Sequence, residues 1–127
     1  MMRNAAYAAA LLAATLVTIP SQGDTLQPDK VLYDRAVSDI QQKRFEVSRL
    51  LLQTLINTYG SSEFLAKARL AIADSWFQQG GERGLAQAQV ACKQVVMLYP
   101  DGPEAKAAQD MLDEMEAGGK GKPAPAR

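Results

Sequence analysis

Histidine is absent from this chain of 127 residues, and cysteine occurs once, as Cys92. The first absence removes the usual general base near neutral pH and the commonest metal ligand. A single cysteine excludes an intrachain disulfide, a CxxC redox pair and a cysteine zinc cluster. Charge of one sign is not in excess, because Lys+Arg and Asp+Glu number 14 each and the net charge is zero. A nucleic-acid binder usually shows a basic excess or a basic face, and neither is evident. Aromatic residues make up 6% of the chain, with one tryptophan, Trp76. No nucleophile stands beside a base. The composition therefore argues against an enzyme, a metal and a cofactor.

The hydrophobic content of 47% is raised by an alanine-rich start. Met1 to Gly23 has the layout of a secretory signal: Arg3 as the only charge, an apolar run from Ala5 to Ile19, then Pro20 and the small residues of Ser21-Gln22-Gly23. Cleavage after Gly23 would leave Asp24 first. The competing reading is a membrane anchor, but a run of about 15 residues falls short of the roughly 20 a spanning helix needs. The expected mature protein is periplasmic or secreted and has no membrane span.

Residues 24–29 read as a short leader, 30–117 as a helical domain and 118–127 as a flexible Gly, Lys, Pro and Ala tail. The periodicity predicts five helices. The first runs from about Asp29, its expected cap, to Gln42, with Leu32, Ala36 and Ile40 on one face and Tyr33 and Val37 beside it. Phe45 opens the second, whose Val47, Leu51, Leu52, Leu55, Ile56 and Tyr59 form a broad apolar face ended by a left-handed Gly60. Ser61 or Ser62 is expected to cap the third, with Glu63 in its first turn and paired to Lys67. Its apolar stripes are Leu65, Ala68, Ile72 and Trp76, and Ala66, Leu70, Ala73 and Phe77, with Trp76 expected between the second, third and fourth helices.

Gly80-Gly81-Glu82-Arg83-Gly84 reads as a loop, since three of five residues are glycine. It lacks the Gly-Lys-Ser/Thr ending of a phosphate cradle and is a connector. The fourth helix is predicted over about Leu85 to Tyr99, with Ala88, Cys92, Val95 and Tyr99 inward. Pro103 starts the fifth. Its core side is Ala108, Met111, Leu112 and Met115, and its acids give the polar outer face a terminal helix needs. Two helix ends, Leu55 to Ser62 and Val96 to Pro103, close on tyrosine followed by Gly or Pro and small polar residues. They suggest one unit used twice.

That frame resembles the tetratricopeptide repeat. Leu32 and Ala36, then Phe45, Ser48 and Leu52, fall at its large and small positions in a first repeat. Ala73, Trp76 and Phe77, then Ala88, Cys92, Val95 and Pro100, do so in a second. More narrowly, Phe45 to Leu52, Leu55 to Tyr59 and Ala66 to Asp74 resemble the BamD (YfiO) family of outer-membrane assembly factors. The YbgF cell-division coordinators have similar repeats. The chain departs from the BamD pattern in three ways: no lipidated cysteine, about two and a half repeats in place of five, and a turn at 81–84 longer than the basic repeat allows. The resemblance covers residues 30 to 116 and implies an all-α fold of helical hairpins. It further implies a non-enzymatic scaffold in the cell envelope, with a protein or peptide partner and a place in outer-membrane protein assembly. An alternative is a self-associating subunit of an envelope complex.

In such arrays the first helix of each repeat lines the concave side. The resemblance puts Tyr33, Val37 and Ile40 there from the first repeat, and Lys67, Leu70, Asp74, Phe77 and Gln78 from the second. Apolar stripes at helical spacing are more usually core, so Ile40, Leu70 and Phe77 have that competing role. Asp74 reads as a groove-lining carboxylate, and Cys92 as a small core residue.

Overall fold

A computed structural model of the chain describes residues 27–118, and the expected signal segment, most of the leader and residues 119–127 lie outside them. The described residues form five α-helices and no strand: α1 Pro28–Gln41, α2 Phe45–Thr58, α3 Leu65–Gln79, α4 Gly81–Leu98 and α5 Pro103–Glu116. The fold is all-α. Sequential helices pack as neighbours, α3 also touches α1 and α5, and α2 and α4 do not touch each other. The result is two layers, with α1, α3 and α5 in one and α2 and α4 in the other.

The central helix explains the alanine content. Because α3 meets all four other helices, the sides of it that face them are buried, and only the strip between α1 and α5 stays open. Ala68, Ala71, Ala73, Ser75 and Phe77 are buried along it, and their small side chains let neighbouring helices approach closely. Ala71 and Ser75 belong to neither stripe read from the sequence. The core divides at this helix. Ala36, Ile40, Leu52, Leu55, Ala68 and Ala71 form one cluster, and Ala73, Phe77, Ala88, Cys92, Val95, Ala108 and Met115 form the other.

The two tyrosine turns have the same hydrogen bonds. Tyr59 N–H donates to Leu55 O, Ser62 N–H to Tyr59 O and Leu65 N–H to Ser62 O. Forty residues on, Tyr99 donates to Val95, Gly102 to Tyr99 and Ala105 to Gly102. Tyr59 (φ −114, ψ 64) and Tyr99 (φ −132, ψ 57) close their helices in nearly the same conformation. The buried residues match at the same interval: Ser48 with Ala88, Leu52 with Cys92, Leu55 with Val95, and Ala68 with Ala108. One packing solution is thus used twice.

Several expectations about helix ends are corrected. α1 begins at Pro28, so Asp29 lies in its first turn rather than at the cap; its carboxylate instead accepts from Ser62 Oγ at 2.6 Å, tying α1 to the first tyrosine turn. Gly60 is not left-handed. Its counterpart in the second turn is Pro100, and proline holds φ negative, so the shared turn has no use for a left-handed residue there. α3 starts at Leu65, leaving Glu63 outside its first turn. Ser62 Oγ accepts from Phe64 N–H at 2.8 Å in a tight turn before the helix. Lys67 stands over the Phe64 ring, 5.8 Å from its centroid, and Glu63–Lys67 is not among the ion pairs of the described residues.

The largest correction concerns residues 80–84. Only Gly80 separates α3 from α4. Its φ of 74 and ψ of −165 lie in a region open essentially to glycine alone, and Gly81 follows with a φ of 76, so two consecutive glycines make the corner. α4 begins at Gly81 and runs through Gly84, which is buried; a Cβ there would stand 2.8 Å from the Trp76 carbonyl oxygen. Glycine here serves close helix approach, which local composition does not distinguish from a loop. Val47 is also misassigned; it is 45% exposed on α2. Trp76 packs partly buried against the second cluster, with the Arg49 guanidinium of α2 stacked 3.5 Å over its ring.

The α1–α2 corner holds an ion pair with a buried carboxylate, of which the periodicity gave no hint. Asp39 is 2% exposed, and Arg44 Nη2 and Nε donate to its Oδ1 at 2.6 and 3.2 Å. Arg44 N–H donates to the Asp39 carbonyl, across a left-handed Lys43 (φ 63).

Candidate functional site

The α1–α3–α5 layer carries a groove of about 410 Å³. α1 contributes Tyr33, Val37, Ile40 and Gln41; α3 contributes Lys67, Leu70, Ala71, Asp74 and Gln78; α5 contributes Ala107 and Met111. Of the eight residues that the resemblance implied, seven stand together here. The eighth, Phe77, is 8% exposed and packs in the second core cluster. It packs with Ala73 and with Ala88, Cys92 and Val95 of α4 instead of facing the groove. Ile40 does both, being buried in the first cluster and edging the groove.

Polar groups are spaced along an apolar floor. Gln78 Nε2 donates to Asp74 Oδ2 at 2.8 Å, one helical turn apart. Tyr33 stacks on Phe64 with ring centroids 5.5 Å apart and planes at 27°, and Lys67 caps the same ring. Burial pushes the Tyr33 phenol above its ordinary pKa, with further contributions from the carboxylates of Asp34, Glu104 and Asp74. Burial, aided by Asp74, likewise raises the Cys92 thiol to about 11. The thiol is therefore protonated at neutral pH and sits in the core 3.5 Å from Met111 Sδ, the environment of an inert cysteine.

Gln41, Ala71, Ala107 and Met111 line the groove without having been picked out from the sequence. A signal for Ala107 was present. It stands forty residues after Lys67, so carrying that interval from α3 onto α5 finds it, whereas Met111 stands forty after Ala71, which was itself missed.

A second depression of about 520 Å³ lies between α4 and α5, lined by Gln89, Lys93, Val96, Met97, Gln109, Leu112 and Glu116. The repeat explains why it is open. In the first unit Arg49 of α2 stacks on Trp76 of α3 and hydrogen-bonds Ser75 and Gln79 at 3.0 and 2.8 Å, closing that seam. The equivalent positions in the second unit are Gln89 and Glu116, which form no such clamp. This seam has two walls, whereas the α1–α3–α5 groove has three.

Protein-family models, curated protein sequences and solved structures contain no match to this chain. The tetratricopeptide resemblance rests on the residues that carry it. Among the described residues, no group of three or more His, Cys, Asp or Glu side chains is placed to hold a metal. No described helix is long and apolar enough to cross a membrane.

Proposed function

We propose that this protein is a non-enzymatic helical scaffold of tetratricopeptide type, which captures a peptide segment of a protein partner in the α1–α3–α5 groove. The observation that carries the reading is the meeting of Tyr33, Val37, Ile40, Lys67, Leu70, Asp74 and Gln78 on one concave surface. Aromatic and aliphatic anchors edged by a few charges are the usual content of a binding patch. The secretory layout of residues 1–23 supports a site of action in the cell envelope, and the resemblance to the BamD family makes outer-membrane protein assembly the first process to test. Exchanging Lys67 and Asp74 together for alanine is expected to weaken capture of a partner from an envelope fraction while helical content and melting stay unchanged. Undiminished capture would rule out the groove and move attention to the convex face or acidic α5. Intact mass of the exported form is expected to begin at Asp24. Retention in membranes after carbonate washing would instead make the N-terminal segment an anchor.

Self-association is the second reading. Leu50, Val90, Met97 and Leu98, on α2 and α4, are each more than half exposed, a larger apolar display than isolated surface residues require. Light scattering separates the two readings: a dimer lost on exchanging Leu50 and Val90 for serine favours self-association, and a monomer favours capture.

A further inference from the structure

The depression between α4 and α5 lacks the clamp that closes its counterpart in the first unit. Val96, Met97 and Leu112 line the opening, and Val90, seven residues before Met97, extends the same stripe of α4. Met97 and Val90 are 69% and 56% exposed, and apolar surface gathered beside an open seam marks an interaction site. Lys93 of α4 is the cation of this lining and Glu116 of α5 its anion. Neither belongs to an ion pair of the described residues. The contact of Cys92 with Met111 sets the register of the two helices, which leaves Lys93 and Glu116 offset by about 8 Å along the seam at the helical rise.

An anionic occupant would satisfy Lys93 and set Glu116 against its own sign, and a cationic one would do the reverse. Residues 119–127, with Lys120, Lys122 and Arg127 and no Asp or Glu, are of the second kind. A face bearing one charge of each sign is complementary to itself. Resting on the self-association reading, we infer that a second copy of this chain covers the seam, in a two-fold dimer whose paired α4–α5 hairpins form a four-helix bundle. With the two-fold axis along the seam, α4 of each copy lies antiparallel on α5 of the other, as bundle helices do. Each Lys93 then faces the partner's Glu116, so one ion pair forms twice. Met97 and Leu112 of both copies fill the space between them. A face two helices wide and as long as the 14 residues of α5 measures roughly 20 by 21 Å. With side-chain relief, two such faces bury on the order of 1,000 Å², the lower limit for a specific interface. The dimer is therefore reversible.

Sedimentation equilibrium of the exported chain is expected to show a concentration-dependent exchange between monomer and dimer. Lys93→Glu puts two acids in each contact, and Glu116→Lys puts two lysines there. Each variant alone is expected to weaken the dimer at least about tenfold, because both contacts of the symmetric pair turn repulsive. An equal mixture of the two variants should associate again, since every contact across the mixed dimer pairs unlike charges, and added salt should shrink the difference. Met97→Ser is expected to weaken the dimer with helical content intact, its side chain being exposed. Single variants that dissociate and are not rescued by mixing would overturn the two-fold arrangement. A dimer indifferent to Lys93→Glu but lost on Leu50→Ser would move the interface to α2, overturning the seam inference and leaving self-association standing. A monomer that dimerises only once residues 119–127 are removed would give the seam to that segment. A monomer at every concentration in both forms would remove self-association itself.

Discussion

Gly84→Ala probes the feature that local composition misassigned. Gly84 is buried inside α4 where that helix leaves the α3 corner, and a Cβ would lie 2.8 Å from the Trp76 carbonyl oxygen. Two effects oppose one another. Alanine in place of glycine favours a helix by about 0.5–1 kcal/mol. Against this, the atom it meets belongs to the backbone of a neighbouring helix and has no rotamer to escape into. Forcing extra volume into a packed contact costs about 1–3 kcal/mol. The clash wins because relief requires α3 and α4 to separate along a seam that also seats Trp76, Ala88 and Cys92. The expected net destabilisation is about 1–2 kcal/mol, a fall in Tm of roughly 5–10 °C for a domain of this size. Thermal unfolding followed by far-UV circular dichroism measures it, with Trp76 fluorescence reporting the opened seam. Gly60→Ala is the control, since a Cβ there has nothing within 4 Å. A Gly84→Ala protein melting at or above the wild-type temperature would refute the claim that glycine sets the α3–α4 distance.

Arg44→Ala removes the partner of a carboxylate that stays buried, and is expected to cost about 3 kcal/mol, the lower end for a broken buried pair because the guanidinium side is half open to water; Arg44→Ala with Asp39→Ala should be less destabilised than Arg44→Ala alone in urea titrations. Gly60→Pro copies the Tyr99-Pro100 turn onto Tyr59-Gly60 and is expected to stabilise by about 0.4–1 kcal/mol through the unfolded chain, visible as a raised urea midpoint. The Cys92 thiol is raised to about 11 from 9.0, so the folded state favours the protonated form. Its contribution is complete below the unfolded pKa and is lost as pH climbs from about 9 to 11. Stability should therefore fall over that window, and Cys92→Ala should flatten the decline. In native protein, thiol reagents at neutral pH should modify Cys92 only as fast as the chain opens.

Much of the architecture was legible in the chain because helices announce themselves through period and punctuation. Ala36, Ile40, Leu52, Leu55, Ala88, Cys92 and Val95 fall inward as their spacing predicts, and the tyrosine turns signal the repeat. The groove residues on α1 and α3 were reachable by laying a known pattern on that frame. Phe77 was misplaced because two adjoining stripes of one helix both look apolar, and only its neighbours decide which faces the groove.

What the tertiary structure alone decided are matters of distance between helices. A sequence states which residues are small but not what approaches them, so Gly84 read as a loop and Ser75 and Ala71 went unnoticed. The Asp39–Arg44 pair had no periodic signal, because a buried charge is tolerated only where its partner folds back beside it. The third wall of the groove came from α5, since a concave surface belongs to helices far apart in the chain. The order of small and large residues determined that helices would form and pair. The angle and closeness at which they met determined what the pairing left open.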